Sequence, residues 1–163
     1  MLGRTYEVSQ TVATVAAAQT LGILTMPADR IALLEKVEVT SRGQPVAEQL
    51  DIELARVSAL GTPTVSHDND AGGNNDVIVQ QHDEGDAATG ATVSFDVTAS
   101  EPTLIASPIN RQGVQNMDGY RFNADVFQPV VVGVSQSVAV KLMAAPNASH
   151  ELTVTFKWRE IGT

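Results

Sequence analysis

The chain has 163 residues, 43% of them hydrophobic and 4% aromatic, with a formal net charge of −9. That length and apolar content predict one domain, residues 1–163, with its own core, and exclude a disordered chain. The acidic balance argues against nucleic acid as a direct partner, because neutralising phosphates takes clustered Lys and Arg, and the lack of cysteine removes disulfides, thiolate nucleophiles and Cys-ligated zinc.

The N-terminal stretch "MLGRTYEVSQTVATVAAAQTLG" has neither the charged start nor the unbroken apolar run of a signal peptide. No segment has the apolar length of a membrane-spanning helix, so a soluble, non-secreted protein is expected, with no membrane partner. Residues 1–18 read either as an ordinary edge strand or as an arm that adds to a neighbour's sheet. "RTYEVSQTV" and "TLGILTM" read as short strands. In "IALLEKVEVTS", Ile31, Leu33, Val37 and Val39 alternate against Leu34, Lys36, Glu38 and Thr40. "EQLDIELARVS" sets Leu50, Ile52 and Leu54 against Gln49, Asp51 and Glu53, which favours a strand over a helix. The turn residues "RGQP" between these two runs predict a hairpin or meander.

Residues 61–91 are too long for an ordinary connection and read as a long acidic loop. "ATVSFDVTAS" alternates Val93, Phe95 and Val97 against Ser94, Asp96 and Thr98. Pro102, Pro108, Gly113 and Gly119 break the next segment into short strands, and Pro129 is expected at a strand start or edge. The chain closes on "SVAVKLMAAP", with Val138, Val140 and Leu142 inward, and "ELTVTFKWRE", with Leu152, Val154, Phe156 and Trp158 inward. The sum is an all-β chain of about eight strands in one antiparallel β-sandwich, of jelly-roll or Greek-key type.

Charge is uneven. From Val57 to Asn110 there are eight acids and no Lys or Arg. Six of those acids stand in "SHDNDAGGNNDVIVQQHDEGDA", residues 66–87, with two of the three histidines. "DNDAGGNND" opens like an EF-hand loop, but Gly72 and Val79 occupy positions that need oxygen donors. Asp68, Asp70 and Asp76 remain as weak calcium candidates, against a solvated Gly- and Asn-rich surface segment. His67, His82 and His150 lack the spacing of a preorganised metal site, and "GVSQS" departs from a nucleophile elbow at its last residue. No catalytic residue, cofactor or metal is assigned. Around "NRQGVQNMDGYRF", Arg111, Met117, Tyr120, Arg121 and Phe122 are of the types enriched at protein interfaces, though Tyr120 and Phe122 read first as plain core residues of a strand.

The run "EKVEVTSRGQPVAEQLDIELARVSALGTPT" (residues 35–64) resembles small β-rich proteins of tailed-phage heads, in which a "xQLxIxLxRxSxxGTxT"-like strand precedes a polar insert. "VAVKLMAAPNASHELTVTFKWREIG" resembles the closing hairpin of the same group, down to Glu160–Gly162. The resemblance implies a non-enzymatic head decoration (cement) protein of jelly-roll type. It also implies a homotrimer bound to the major capsid protein on the outer surface of the virion, made in the host cytoplasm. A carbohydrate- or receptor-binding sandwich of a fibre or spike is the alternative, and a metal-dependent jelly-roll enzyme a third.

Overall fold

Runs in which Val, Ile, Leu or Phe alternate with Thr, Ser or charged residues form strands, because such a run presents one apolar edge to a core and one polar edge to water. The computed structural model describes residues 3–42, 46–82, 87–124 and 128–162. Among them are thirteen strands: β1 (Arg4–Val15), β2 (Gln19–Thr25), β3 (Arg30–Arg42), β4 (Gln49–Ala59), β5 (Thr64–Asp68), β6 (Gln80–Gln81), β7 (Thr92–Ala99), β8 (Thr103–Leu104), β9 (Asn110–Gln115), β10 (Tyr120–Asn123), β11 (Val130–Val132), β12 (Ser137–Leu142) and β13 (His150–Gly162). No helix occurs among the described residues.

The strands make two antiparallel sheets packed as a sandwich. Sheet I runs β10, β3, β13, β1, β6, with β11 beside β10 on the same side of β3. Sheet II runs β5, β7, β2, β12, β4, β8, with β9 also on β4. One core fills the space between them, built from Tyr6, Leu34, Phe95, Phe122, Phe156 and Trp158 among others. Tyr6 stacks on Trp158 with ring centroids 5.8 Å apart. Gly22 on β2 is required there, since a Cβ at that position would stand 2.8 Å from the Phe156 ring. A smaller cluster, Ile23, Val97 and Ala139 beneath Leu60 and Leu104, is out of phase with Leu24, Val138 and Val140 and covers the opposite side of sheet II.

The all-β sandwich and most inward residues are as the alternation predicts; five expectations change. Thirteen strands stand among the described residues rather than about eight, the excess lying in the acidic segment and in residues 103–132. β3 and β4 do not form a hairpin: β3 pairs with β13, β10 and β11, and β4 with β12, β8 and β9. The closing pair β12 and β13 likewise divides between the two sheets. A period of two says which way a side chain points, not which strand lies alongside. Residues 43–45 of the expected turn lie outside the described residues.

The fourth change is within β3. Opposite β13, Lys36 pairs with Lys157 but Leu34 with Trp158, so Glu35 is an extra residue. Such a bulge reverses the face of everything before it. Ala32 and Leu34 therefore join Val37 and Val39 in the core, while Ile31 and Leu33 turn to the partly exposed side. Residues 61–91 are not one loop either, since β5 and β6 lie inside them. β5 pairs with β7 at an edge of sheet II, and β6 with β1 at an edge of sheet I. The segment thus spans one lateral side of the sandwich. β1 pairs with β13 from Arg4 to Val15, so residues 4–15 belong to this chain's own sheet.

Candidate functional site

The acidic segment organises itself around Asp68, the last residue of β5, which is buried. Its Oδ1 accepts the amides of Asp70 (3.2 Å) and Asn75 (3.0 Å), and its carbonyl accepts those of Asp76 and Val77. Gly73 leaves the room this needs, because a Cβ there would collide with the Asp68 carboxylate. Asp76 Oδ1 accepts the Asp68 amide, while its Oδ2 lies 2.5 Å from His67 Nδ1. The His67 contact holds the Asp76 carboxyl below its ordinary range against the effect of burial. Asp70 caps the amide of Gly72. The three calcium candidates are thus occupied with backbone amides and a histidine, and no set of three potential metal ligands converges among the described residues. Asp83, Glu84 and Asp86 lie outside the described residues.

Both ends of the segment are tied to the sandwich. His82 donates its amide to Thr5 and meets Glu7 at 3.0 Å. Further on, Tyr6 donates to the Ala87 carbonyl at 2.8 Å. Residues 89–91 then close on the buried Glu160, which takes the hydroxyl of Thr89, the amides of Gly90 and Ala91, the indole N–H of Trp158 and Arg30 Nη1. Burial pushes the Glu160 carboxyl up, but Thr89, Trp158, Arg30 and the Gly90 amide outweigh it and leave it below the ordinary range. Past β7, Glu101 binds the Thr20 amide and hydroxyl and Lys141 Nζ.

The interface candidates do not converge. Tyr120 and Phe122 are inward on β10 and belong to the core. Arg111 on β9 forms a two-pronged contact with Asp51, Nε–Oδ1 3.0 Å and Nη2–Oδ2 2.5 Å, with Glu53 at 3.6 Å. Arg121 reaches Glu38 at 2.6 Å on the far sheet. Between them Met117 stands 73% exposed beside buried Asn116, whose amide group holds the Val46 carbonyl and the Glu48 amide. Glu48 in turn binds His150 Nε2 and the amides of Asn147 and Ala148. That His150 contact, helped by the two amides, lowers the Glu48 carboxyl to about 2.

A feature the residue types alone did not single out stands on the opposite lateral side from the acidic segment. Ile105, Val131 and Val134 are exposed there by 41–46%. Arg56 sits among them: its carbonyl accepts the Ile105 amide and its Nη1 donates to the Val131 carbonyl, each at 2.8 Å. Eight of the ten bases hold a carboxylate, whereas Arg56 holds none among the described residues. A small hollow lined by Arg56, Val57, Ile105, Gln136 and Ser137 opens beside it. The sequence does carry one signal for this place, since Arg56 is the last base before the 54-residue gap in positive charge that Arg111 ends.

All ten Lys and Arg stand in strands, seven of them in sheet I, while Asp29, Glu48, Asp70, Asp76, Glu101 and Asp118 stand in connections. The arrangement is a near-balanced pair of sheets with an acidic fringe. It offers surfaces for association. No family model, no curated protein and no solved structure matches this chain.

Proposed function

We propose that this protein is a non-enzymatic decoration protein of a tailed-phage head, binding the outer surface of the shell at symmetry-related sites and stabilising it. The reading is carried by strand order taken with the resemblance of residues 35–64. With β5 to β8 and β11 set aside, eight strands remain. In chain order they lie first–eighth–third–sixth in sheet I and second–seventh–fourth–fifth in sheet II. That order supports a jelly roll, an architecture used by viral coats, lectins and cupins. Fold alone does not choose among these uses. The head-protein resemblance chooses the first, and its implied partners are the major capsid protein and further copies of this chain in a trimer.

Charge segregation suits the role. Sheets of nearly balanced charge can lie against a shell, while an acidic fringe keeps decorated particles mutually repulsive. Many modest contacts repeated over a lattice also add up to firm attachment. The sugar-binding alternative is disfavoured because stacking platforms need exposed aromatic rings, and the six aromatics among the described residues, Trp158, Tyr6, Tyr120, Phe95, Phe122 and Phe156, are all buried; the seventh, Phe127, lies outside the described residues.

Mixing the purified chain with undecorated heads and imaging the particles tests the reading. Added density at symmetry-related positions is expected; bare shells at saturating protein would sink it.

A further inference from the structure

We propose that copies of this chain associate head to tail, the exposed Ile78 of one copy entering the Arg56 hollow of the next. Ile78 is the most exposed of the large apolar residues, at 81%, and stands two residues before β6. An isoleucine left in water between Val77 and Val79, which pack on the core, costs free energy that a matching pocket recovers. The hollow has the complementary chemistry: Val57 and the exposed Ile105 line it beside an arginine that holds no carboxylate among the described residues, and the exposed Val131 accepts that arginine's Nη1 at its carbonyl.

Charge points to a second copy as the occupant. Ile78 belongs to residues 66–87, which hold six acids and no base. An acidic segment bearing an apolar knob is what an apolar-lined hollow accepts beside an arginine that holds no carboxylate among the described residues. Geometry agrees. Tyr6 of β1 pairs with Gln81 of β6 and with Trp158; Trp158 pairs with Leu34, and Leu34 with Val130 of β11. The strands beside knob and hollow, β6 and β11, therefore flank opposite edges of sheet I, four strand spacings or about 19 Å apart. A contact between two different patches is heterologous, and repeated it closes into a ring or runs on as a filament. This inference deepens the self-association part of the proposed function and needs no shell, so it can fail while shell binding survives.

The test is a complementation experiment on the whole chain, read by sedimentation velocity. Ile78→Ser removes the knob; Ile105→Glu, at a residue that lines the hollow, fills it with a carboxylate beside Arg56. Both positions are exposed, so thermal midpoints should match the parent. At ~100 µM the parent should self-associate, and each variant alone should do so at least about tenfold more weakly. A 1:1 mixture of Ile78→Ser with Ile105→Glu keeps one intact knob and one intact hollow, and should give heterodimers and nothing larger. A monomeric parent, variants with the parent's mass, or a mixture that stays monomeric would overturn the inference.

Discussion

Trp158 donates its indole N–H to the carboxylate of Glu160, two residues later on the same inward face of β13, at 3.1 Å. The same carboxylate holds Arg30 and residues 89–91, so one buried side chain joins the core tryptophan, β3 and the end of the acidic segment. Removing it leaves several buried donors and a guanidinium without their acceptor. Glu160→Ala should cost about 3–5 kcal/mol, by analogy with breaking other buried ion pairs. Urea denaturation measures this, and limited proteolysis should find new cleavage near residues 87–91; an unchanged midpoint would remove the clamp from the account.

Gly22 faces the Phe156 and Phe95 rings, and an added Cβ would stand 2.8 Å and 3.1 Å from them. Gly22→Ala should therefore destabilise by about 1–3 kcal/mol through overpacking, despite alanine's better backbone entropy. Adding Phe156→Leu should give a double variant more stable than the sum of the two single costs. Strict additivity would show that the rings are not what the methyl group meets.

Glu48 is held at about 2 in the fold against an ordinary 4.5. The folded state thus favours its ionised form, and the resulting stability is complete above about pH 4.5, declines as the pH falls, and is lost below about pH 2. Glu48→Gln lacks this slope. Its denaturation midpoint should fall less than the parent's between about pH 5 and about pH 2.5; parallel curves would refute the assignment to Glu48.

Because Asp68 already accepts the amides of Asp70 and Asn75, calcium has to compete with bonds the fold has made. Millimolar calcium should leave the thermal midpoint where it is, and Asp68→Ala should lower stability by about 1–3 kcal/mol through its unpaired amides. A calcium-dependent rise in midpoint that Asp68→Ala abolishes would restore the metal reading.

Much of the fold is legible in the sequence because alternation is a local signal: Leu50, Ile52, Leu54, Leu152, Val154, Phe156 and Trp158 all point inward as their spacing predicts. Partnership is not local, which is why β3 and β4 read as a hairpin although they stand in different sheets. The bulge at Glu35 is equally silent, and it alone sends Ile31 and Leu33 the other way. The candidate site was less legible. Arg56 and Ile105 are 49 positions apart, and only their hydrogen bond brings them together. Asp68 reads as a metal ligand by type and serves as a turn anchor by geometry.

The order of sheet I also carries a kinetic consequence. β13, the last 13-residue strand, lies between β3 and β1, the first strand, whose other described neighbour is the two-residue β6. The first strand therefore waits for the last. Sheet I cannot close until β13 has left the ribosome, and until then the apolar face of β1 has no lasting place. Folding should be slow for the chain's size, in the millisecond-to-second range of topologies dominated by distant pairings. Loss of the final strand should remove the middle of the sheet rather than trim its margin.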